Sequence, residues 1–297
     1  MGVLKQPLEL DMEYGYYPGC SLKSTSREYD LSVRKMCESF GVNLVEIEDW
    51  NCCGASPAHA MNEELSLALP LRNLIQAEKQ HLKTVLSPCP ACHSHMSLSH
   101  KESGENIKFQ ERMKELLKEE YTRSLTLKHV VDFLYRDIGL ETVRSKTTKP
   151  LAGLKIASYY GCLNRLPGIE IEDKENPEMM DEIVTALGGE SVEWSHKVEC
   201  CGAGFSLTKT SVVHRLVKDL LDAAKIAGAN CIAVVCPLCQ SNLDMRQIEL
   251  ERKGEGPFAL PVVYLSQLVL LAQGRKPDEL GFEKHLVSCK SIFSMLP

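Results

Sequence analysis

One five-cysteine pattern occurs twice in this chain, and it limits the fold to an internal duplication. The first copy is Cys20, the vicinal pair Cys52 and Cys53, then Cys89-Pro-Ala-Cys92. The second is Cys162, the vicinal pair Cys200 and Cys201, then Cys236-Pro-Leu-Cys239. The intervening lengths are 31 and 35 residues in the first copy, 37 and 34 in the second. Composition alone gives about half a vicinal cysteine pair in such a chain, so the pair by itself carries little. Its context carries more. Both pairs continue into the same dipeptide, Gly54-Ala55 and Gly202-Ala203. The lone cysteines follow similar runs, Tyr16-Tyr17-Pro18-Gly19 and Tyr159-Tyr160-Gly161.

Thiolates are soft ligands that select zinc, copper(I) or iron–sulfur clusters. At 297 residues the chain has room for two domains of ordinary size. Its 44% hydrophobic and 25% charged content is that of a soluble globular protein with a sufficient core. No export signal opens the sequence, so a cytoplasmic setting is expected and the cysteines read as metal-binding or redox-active rather than as disulfide staples. A net charge of −6 argues against nucleic acid as a partner. No run of about 18 apolar residues predicts a transmembrane helix.

The expected fold class is α/β: two tandem duplicated domains, 1–145 and 151–297, each a short, mainly parallel sheet flanked by helices. Residues 1–12 read as a tail. Strands are expected at 13–18, 42–47 and 84–86, with helices at 27–40 and 62–81. Leu31, Met36 and Phe40 fall on related faces of the first helix, and Leu65, Leu69, Leu74 and Ile75 are among the apolar positions of the second. The stretch 92–140 reads as mostly helical, and 145–150 as the linker. The order then repeats: strands at 154–160, 191–194 and 231–235, helices at 177–187, 209–227 and 238–252. The apolar tails are matched as His129–Leu134 against Pro261–Ser266. Each cysteine group follows a strand, at the edge where open α/β sheets build their sites.

A tetrahedral zinc site or an ordinary cubane cluster takes four ligands, and each half offers five thiols. The recurring surplus favours a centre that uses all five or keeps an exchangeable position. Gly54 and Gly202 permit close backbone approach beside such a site. Pro90 and Pro237 fix φ and remove a donor next to sulfur. The doubled arrangement resembles the cysteine-rich CCG domain, and two such domains in tandem resemble the B-type subunit of heterodisulfide reductase. The resemblance runs from Tyr14 to about Gly274, with the last long spacing slightly shorter than usual. It implies two non-cubane [4Fe-4S] clusters, one on Cys20, Cys52, Cys53, Cys89 and Cys92, the other on Cys162, Cys200, Cys201, Cys236 and Cys239. It also implies reduction of a disulfide (coenzyme M–S–S–coenzyme B in methanogens, or a related thiol or sulfur substrate) held between the clusters, the cluster irons carrying the chemistry. The implied partners are a ferredoxin-like C-type subunit and a flavoprotein A-type subunit.

Other residues have plainer readings. Cys37, Cys231 and Cys289 lie outside the pattern and read as structural or incidental thiols. His59, His93 and His95 lie near the first cysteine loops; each could donate to sulfur, but the surface or supporting reading comes first. Gln240 and Asn242 occupy the positions of His93 and His95 in the second half. Lys23, Arg165 and Lys209 follow cysteine loops and read first as solvated charges, with steering of an anionic substrate as the alternative. Two other functions fit the pattern: an electron-transfer iron–sulfur subunit of a dehydrogenase or quinone-linked complex, and a zinc-stabilised structural module. No nucleotide or flavin motif is present, so hydride chemistry is expected in a partner.

Overall fold

The computed structural model describes residues 12–55, 58, 61–163, 166–171 and 173–296. It contains two four-stranded parallel sheets of matching order, β2-β1-β3-β4 and β6-β5-β7-β8. The first comprises β1 (Met12–Tyr16), β2 (Val42–Glu46), β3 (Thr84–Ser87) and β4 (Thr126–His129). The second comprises β5 (Lys155–Ser158), β6 (Glu190–Ser191), β7 (Cys231–Val234) and β8 (Val262–Tyr264). From β1 the chain steps to one side to form β2, then back to the other side to form β3. The strand order therefore reverses between β1 and β3, and likewise between β5 and β7. Such a reversal leaves a crevice beyond the carboxyl ends of the two central strands.

The helices follow from local chemistry. After the short α1 (Gly19–Leu22), α2 (Arg27–Ser39) opens with Glu28 and Asp30 in its first turn, where acidic side chains complement the helix dipole. Its buried stripe is Tyr29, Val33, Met36 and Cys37, spaced by four, three and one as one helical face requires. Met36 and Phe40, placed on related faces with Leu31, are buried, whereas Leu31 is 39% exposed. In α3 (Glu63–Lys79) the Asn62 side chain caps the first turn by accepting from the Leu65 N–H. Leu74 and Ile75 are buried there as expected, whereas Leu65 faces solvent. Next come α4 (Pro90–Glu105) and α5 (Ile107–Leu117). Then α6 (Val130–Asp132) runs through a π-helical stretch, Phe133–Gly139, into α7 (Leu140–Lys146). The second half carries α8 (Met179–Ala186), α9 (Thr210–Ile226), α10 (Pro237–Glu251), α11 (Leu265–Ala272) and α12 (Lys290–Met295).

Two expectations change. The stretch 92–140 contains the fourth strand, β4, whose sequence Thr-Leu-Lys-His is too short and polar to stand out. The match of His129–Leu134 to Pro261–Ser266 is also out of register. Ser87 pairs with His129 and Val234 with Tyr264, and Ser87 and Val234 each stand two residues before a cysteine-proline step. His129 therefore corresponds to Tyr264. Apolar Val-Val pairs lie after the strand end in one half and before it in the other, so only the hydrogen-bond ladder settles the register. The tail expected at 1–12 lies outside the described residues except for Met12, which opens β1.

The main hydrophobic core is continuous across both sheets, running from Tyr14 and Phe133 through Ile156 and Leu220 to Leu268 and Ile292. A second apolar cluster, including Tyr17, Leu74, Val85 and Met96, supports only the first cysteine set.

Candidate metal centres

All ten motif cysteines follow the carboxyl ends of β1, β2 and β3, or of β5, β6 and β7. Cys89 and Cys236 stand at the N-cap of α4 and α10, with Pro90 and Pro237 in the first turn. Proline costs nothing there, because its missing N–H would lack a helical partner anyway. This local geometry puts Cys92 and Cys239 into the first turn of each helix, where the neighbouring thiols (Cys53 and Cys89, Cys201 and Cys236) and then burial hold both well above the ordinary thiol value.

The loops bring the sulfurs together. Cys20 Sγ lies 3.8 Å from Cys52 Sγ, and Cys53 Sγ lies 3.3 Å from Cys92 Sγ. In the second half Cys201 Sγ lies 3.7 Å from Cys239 Sγ. Cys53, Cys89, Cys92, Cys201 and Cys239 are buried, while Cys20, Cys162 and Cys200 are exposed. Each set therefore has a sealed side and an open side. Among the described residues no three His, Cys, Asp or Glu side chains converge as a single metal ion would need.

Both vicinal pairs turn on a glycine in the left-handed region, Gly54 at φ +75° and Gly202 at φ +74°. A Cβ on Gly54 would meet Ala58 Cβ at 2.8 Å, and one on Gly202 would meet Leu216 Cδ1 at 2.9 Å. The same turns aim backbone donors at sulfur: Gly54 N–H to Cys52 Sγ at 3.5 Å and Gly202 N–H to Cys200 Sγ at 3.3 Å. A donor set made of thiols, with N–H groups directed at sulfur, fits an iron–sulfur centre, whose potential such bonds tune.

Electrostatics divides the thiols. Cys52 and then Cys92 hold the Cys53 thiol well below its ordinary value, to about 3. Cys239 holds Cys201 down, to about 6. Cys89 is lowered chiefly by Cys236 and next by Cys92, and the carbonyls just before Cys89 and Cys236, of Pro88 and Val235, both lie against the Tyr29 hydroxyl at 3.2 and 2.8 Å, which brings one cysteine loop of each half together. Partial desolvation, and next the neighbouring Cys200, push the Cys162 thiol up to about 11 although its surface is open. Outside the pattern, burial pushes Cys37 and Cys289 up to about 12 and raises Cys231 further. Those three are the inert, structural kind, as expected.

The cysteine-rich CCG domain matches this chain twice, at residues 14–97 and 156–244. The chain belongs to the CCG cysteine-rich domain family. Among its relatives is the 8-methylmenaquinol:fumarate reductase membrane anchor subunit of Wolinella succinogenes, 30% identical over 286 residues, covering 95% of this chain and 100% of the relative. The B-type subunit of the ferredoxin/F(420)H(2)-dependent CoB-CoM heterodisulfide reductase of Methanosarcina acetivorans is 29% identical over 279 residues, covering 91% and 92%. A heterodisulfide reductase B-subunit-like protein of Archaeoglobus profundus is 26% identical over 282 residues, covering 91% and 93%. A hypothetical protein from Helicobacter pylori shares the fold, with a TM-score of 0.73 at 12% identity; the match covers 95% of this chain and about half, 53%, of that one. No described helix is long and apolar enough to cross a membrane.

Within this CCG chain the single candidate residues have definite settings. His93 is buried and bonds the Gly168 carbonyl at 2.9 Å through Nε2, and burial lowers its pKa. It is a support between the halves. His95 is half-buried and lies near Cys53. Gln240 is buried against Val262 and His285, and Asn242 donates to the Cys201 carbonyl at 2.8 Å. Lys23 is paired with Glu46 at 2.7 Å, and Lys209 is exposed ahead of α9. His59 and Arg165 lie outside the described residues.

Sequence reasoning missed the tyrosines that hold the loops. Tyr17 donates to the Asn51 carbonyl at 2.8 Å, and Tyr159 to the Glu199 carbonyl at 2.7 Å. Each acceptor immediately precedes a vicinal pair. Asn73 adds two bonds to Asn51, accepting from its N–H and donating to its carbonyl, both at 2.8 Å. The signal was present in the repeated Tyr-Tyr runs, but those runs are offset by one residue: Tyr17 corresponds to Tyr159, and Tyr160 stands where the first half has Pro18.

Proposed function

We propose that this chain is the disulfide-reducing, B-type subunit of a heterodisulfide reductase-like complex. In this reading residues 1–145 and 151–297 are two domains, each holding one non-cubane [4Fe-4S] cluster through its five motif cysteines. When bound, the clusters supply two electrons, so that R–S–S–R′ with two protons becomes RSH and R′SH. Electrons reach them from a ferredoxin-like C-type subunit fed by a flavoprotein A-type subunit. The observation that carries this reading is the paired arrangement: two thiol sets, each open at Cys20 or at Cys162 and Cys200, meeting through Cys89 and Cys236. A disulfide has two sulfurs to be released, and two adjoining centres offer a site for each. Five thiols in each set also exceed the four that a lone tetrahedral zinc takes.

The residues themselves have defined tasks. Tyr17, Tyr159 and Asn73 orient the vicinal pairs, Gly54 and Gly202 turn them, and the helix starts hold Cys89 and Cys236 at the N-caps. Protein purified without oxygen is expected to hold about eight irons and eight sulfides per chain, the content of two four-iron centres. With a reduced viologen as donor it is expected to turn over a small disulfide. Iron-free protein with zinc in both halves would refute the reading.

A second reading is favoured by one relative, the fumarate reductase membrane anchor subunit. It makes this chain an electron-transfer subunit of a quinone-linked complex. Iron–sulfur centres that equilibrate with a quinol analogue but leave every disulfide in the panel unreduced would select it.

A further inference from the structure

The two cysteine sets meet at one buried side chain outside both motifs. Tyr29 projects from α2 and is 0% exposed. Its hydroxyl lies 2.8 Å from the Val235 carbonyl and 3.2 Å from the Pro88 carbonyl. Val235 immediately precedes Cys236, and Pro88 immediately precedes Cys89. Pro88 has a second partner, His129 Nε2 at 3.0 Å. A phenol has one proton to give, so Tyr29 donates to the nearer Val235 carbonyl and leaves Pro88 to the imidazole. The ring is fixed as well. It stacks on Tyr264 with centroids 4.0 Å apart and planes 5° from parallel. One turn along α2, Ser32 Oγ meets Ser266 Oγ of α11 at 2.7 Å, so the seam on either side of Tyr29 is held.

We propose that Tyr29 is a positioning residue that sets the separation of the two cysteine sets. Its residue belongs to the first half, its acceptor to the second, and the acceptor is one peptide away from the thiol that faces Cys89. Resting on the two-centre reading above, this gives the hydroxyl a functional consequence. A substrate that engages both centres has a fixed span between its sulfurs, and small errors of placement are costly to reaction rates. Tyr29 acts through the loop backbone and touches no reacting atom.

The test uses the full chain without clusters and compares it with Tyr29→Phe, which keeps the stacked ring and removes only the hydroxyl. Both are treated with diamide, which takes two electrons and two protons for each disulfide formed, and the cross-linked peptides are mapped. Cross-links Cys53–Cys92 and Cys201–Cys239 lie within a half and serve as the internal reference. The proportion of Cys89–Cys236 cross-link is expected to fall about tenfold relative to that reference, the scale set by depriving a buried carbonyl of its donor. Iron content after reconstitution is expected to match the wild type. An unchanged proportion overturns the proposal. So does a parallel fall in all cross-links, or a variant that does not fold, because either makes Tyr29 a general stabilising residue. Failure of the wild-type protein to reduce any disulfide would strike the two-centre reading and leave the cross-link comparison standing.

Discussion

The two halves share a strand order and a cysteine order, but they hold their cysteines differently. In the first half the vicinal pair is gripped from behind. Asn51, the residue before it, accepts from Tyr17 and exchanges two bonds with Asn73 on α3. In the second half Tyr159 makes the equivalent bond to Glu199, but the further grip falls on the pair itself, through Asn242 to the Cys201 carbonyl. Asn242 occupies the place that His95 has in the first half. One loop is thus braced from the helix after the pair, and the other from the helix after the C-x-x-C step. What is common to both halves is the set of donors; what differs is the polar scaffold that aims them. The difference identifies the surrounding side chains as the place where two copies of one centre can acquire different properties.

The largest effect is expected from removing a buried thiol in one half. Cys53→Ser and Cys201→Ser are each expected to reduce iron from about eight to about four atoms per chain, since each half holds its own four-iron centre in the proposed reading. Disulfide turnover is expected to fall at least about 100-fold in both, the scale seen when a group essential to chemistry is removed. Iron and sulfide analysis beside a turnover assay checks this. Loss of all iron from either single variant would show that the halves are not independent in loading and would break the comparison.

The turn glycines come next. Alanine at Gly54 would adopt a left-handed conformation and press on Ala58 Cβ at 2.8 Å and Leu69 Cδ1 at 3.0 Å. Together these are expected to cost about 3 kcal/mol. Gly202→Ala meets the far end of Leu216, which can rotate away, so about 1–2 kcal/mol is expected from the backbone alone. Urea unfolding of the two variants measures the difference. Equal losses would mean that the first loop yields as readily as the second.

Bracing is tested by Asn73→Ala and Asn242→Ala. Asn73 is 0% exposed and makes two bonds to one residue, so about 2–3 kcal/mol is expected from its loss. Asn242 gives one backbone bond and accepts from Ser206 at 3.0 Å, and about 1–2 kcal/mol is expected. The effects should also be local. Alkylation of the cluster-free chain is expected to speed up at Cys52 in the first variant and at Cys200 in the second, read by peptide mass spectrometry.

Much of this arrangement was legible in the sequence. The duplication, the placement of each cysteine group after a strand and the parallel α/β architecture all follow from spacing and apolar runs, since cysteines about 35 residues apart converge only across a β-α crossover. The polar scaffold was not legible. Asn73 lies in the middle of a helix whose pattern announces only an apolar face, and its partner is 22 residues away. Tyr29 could be placed on α2, but its acceptor is 206 residues away and belongs to the other half. The strand β4 was missed for a related reason: its four residues are held by the ladder to β3 rather than by their own propensity. Which of the apolar residues on α2 are buried was not legible either: Met36 and Phe40 are buried and Leu31 is not, because the stripe is set by the sheet and by α11 together.

The smallest effect expected separates the halves at the position shared by His129 and Tyr264. Both close the fourth strand of their sheet, and both belong to the junction around Tyr29. Only the histidine titrates near neutrality. Burial, and next the neighbouring His93, hold the pKa of His129 well below its ordinary value, so the folded protein keeps it neutral with Nε2–H donated to the Pro88 carbonyl. In the unfolded chain it protonates near about 6.5. The unfolded state therefore binds the extra proton as acid is added. The stability contributed by His129 is complete above the unfolded value and is lost as pH falls from there towards the folded value. One such group gives a slope of about 1.4 kcal/mol per pH unit within that window. His129→Gln keeps an amide donor for Pro88 and cannot take the proton. Urea midpoints at pH 7 and pH 5.5 are expected to differ by about 1 kcal/mol less in the variant than in the wild type. An identical pH dependence in the two proteins would mean that His129 is charged in the folded state, and would remove the distinction drawn between this residue and Tyr264.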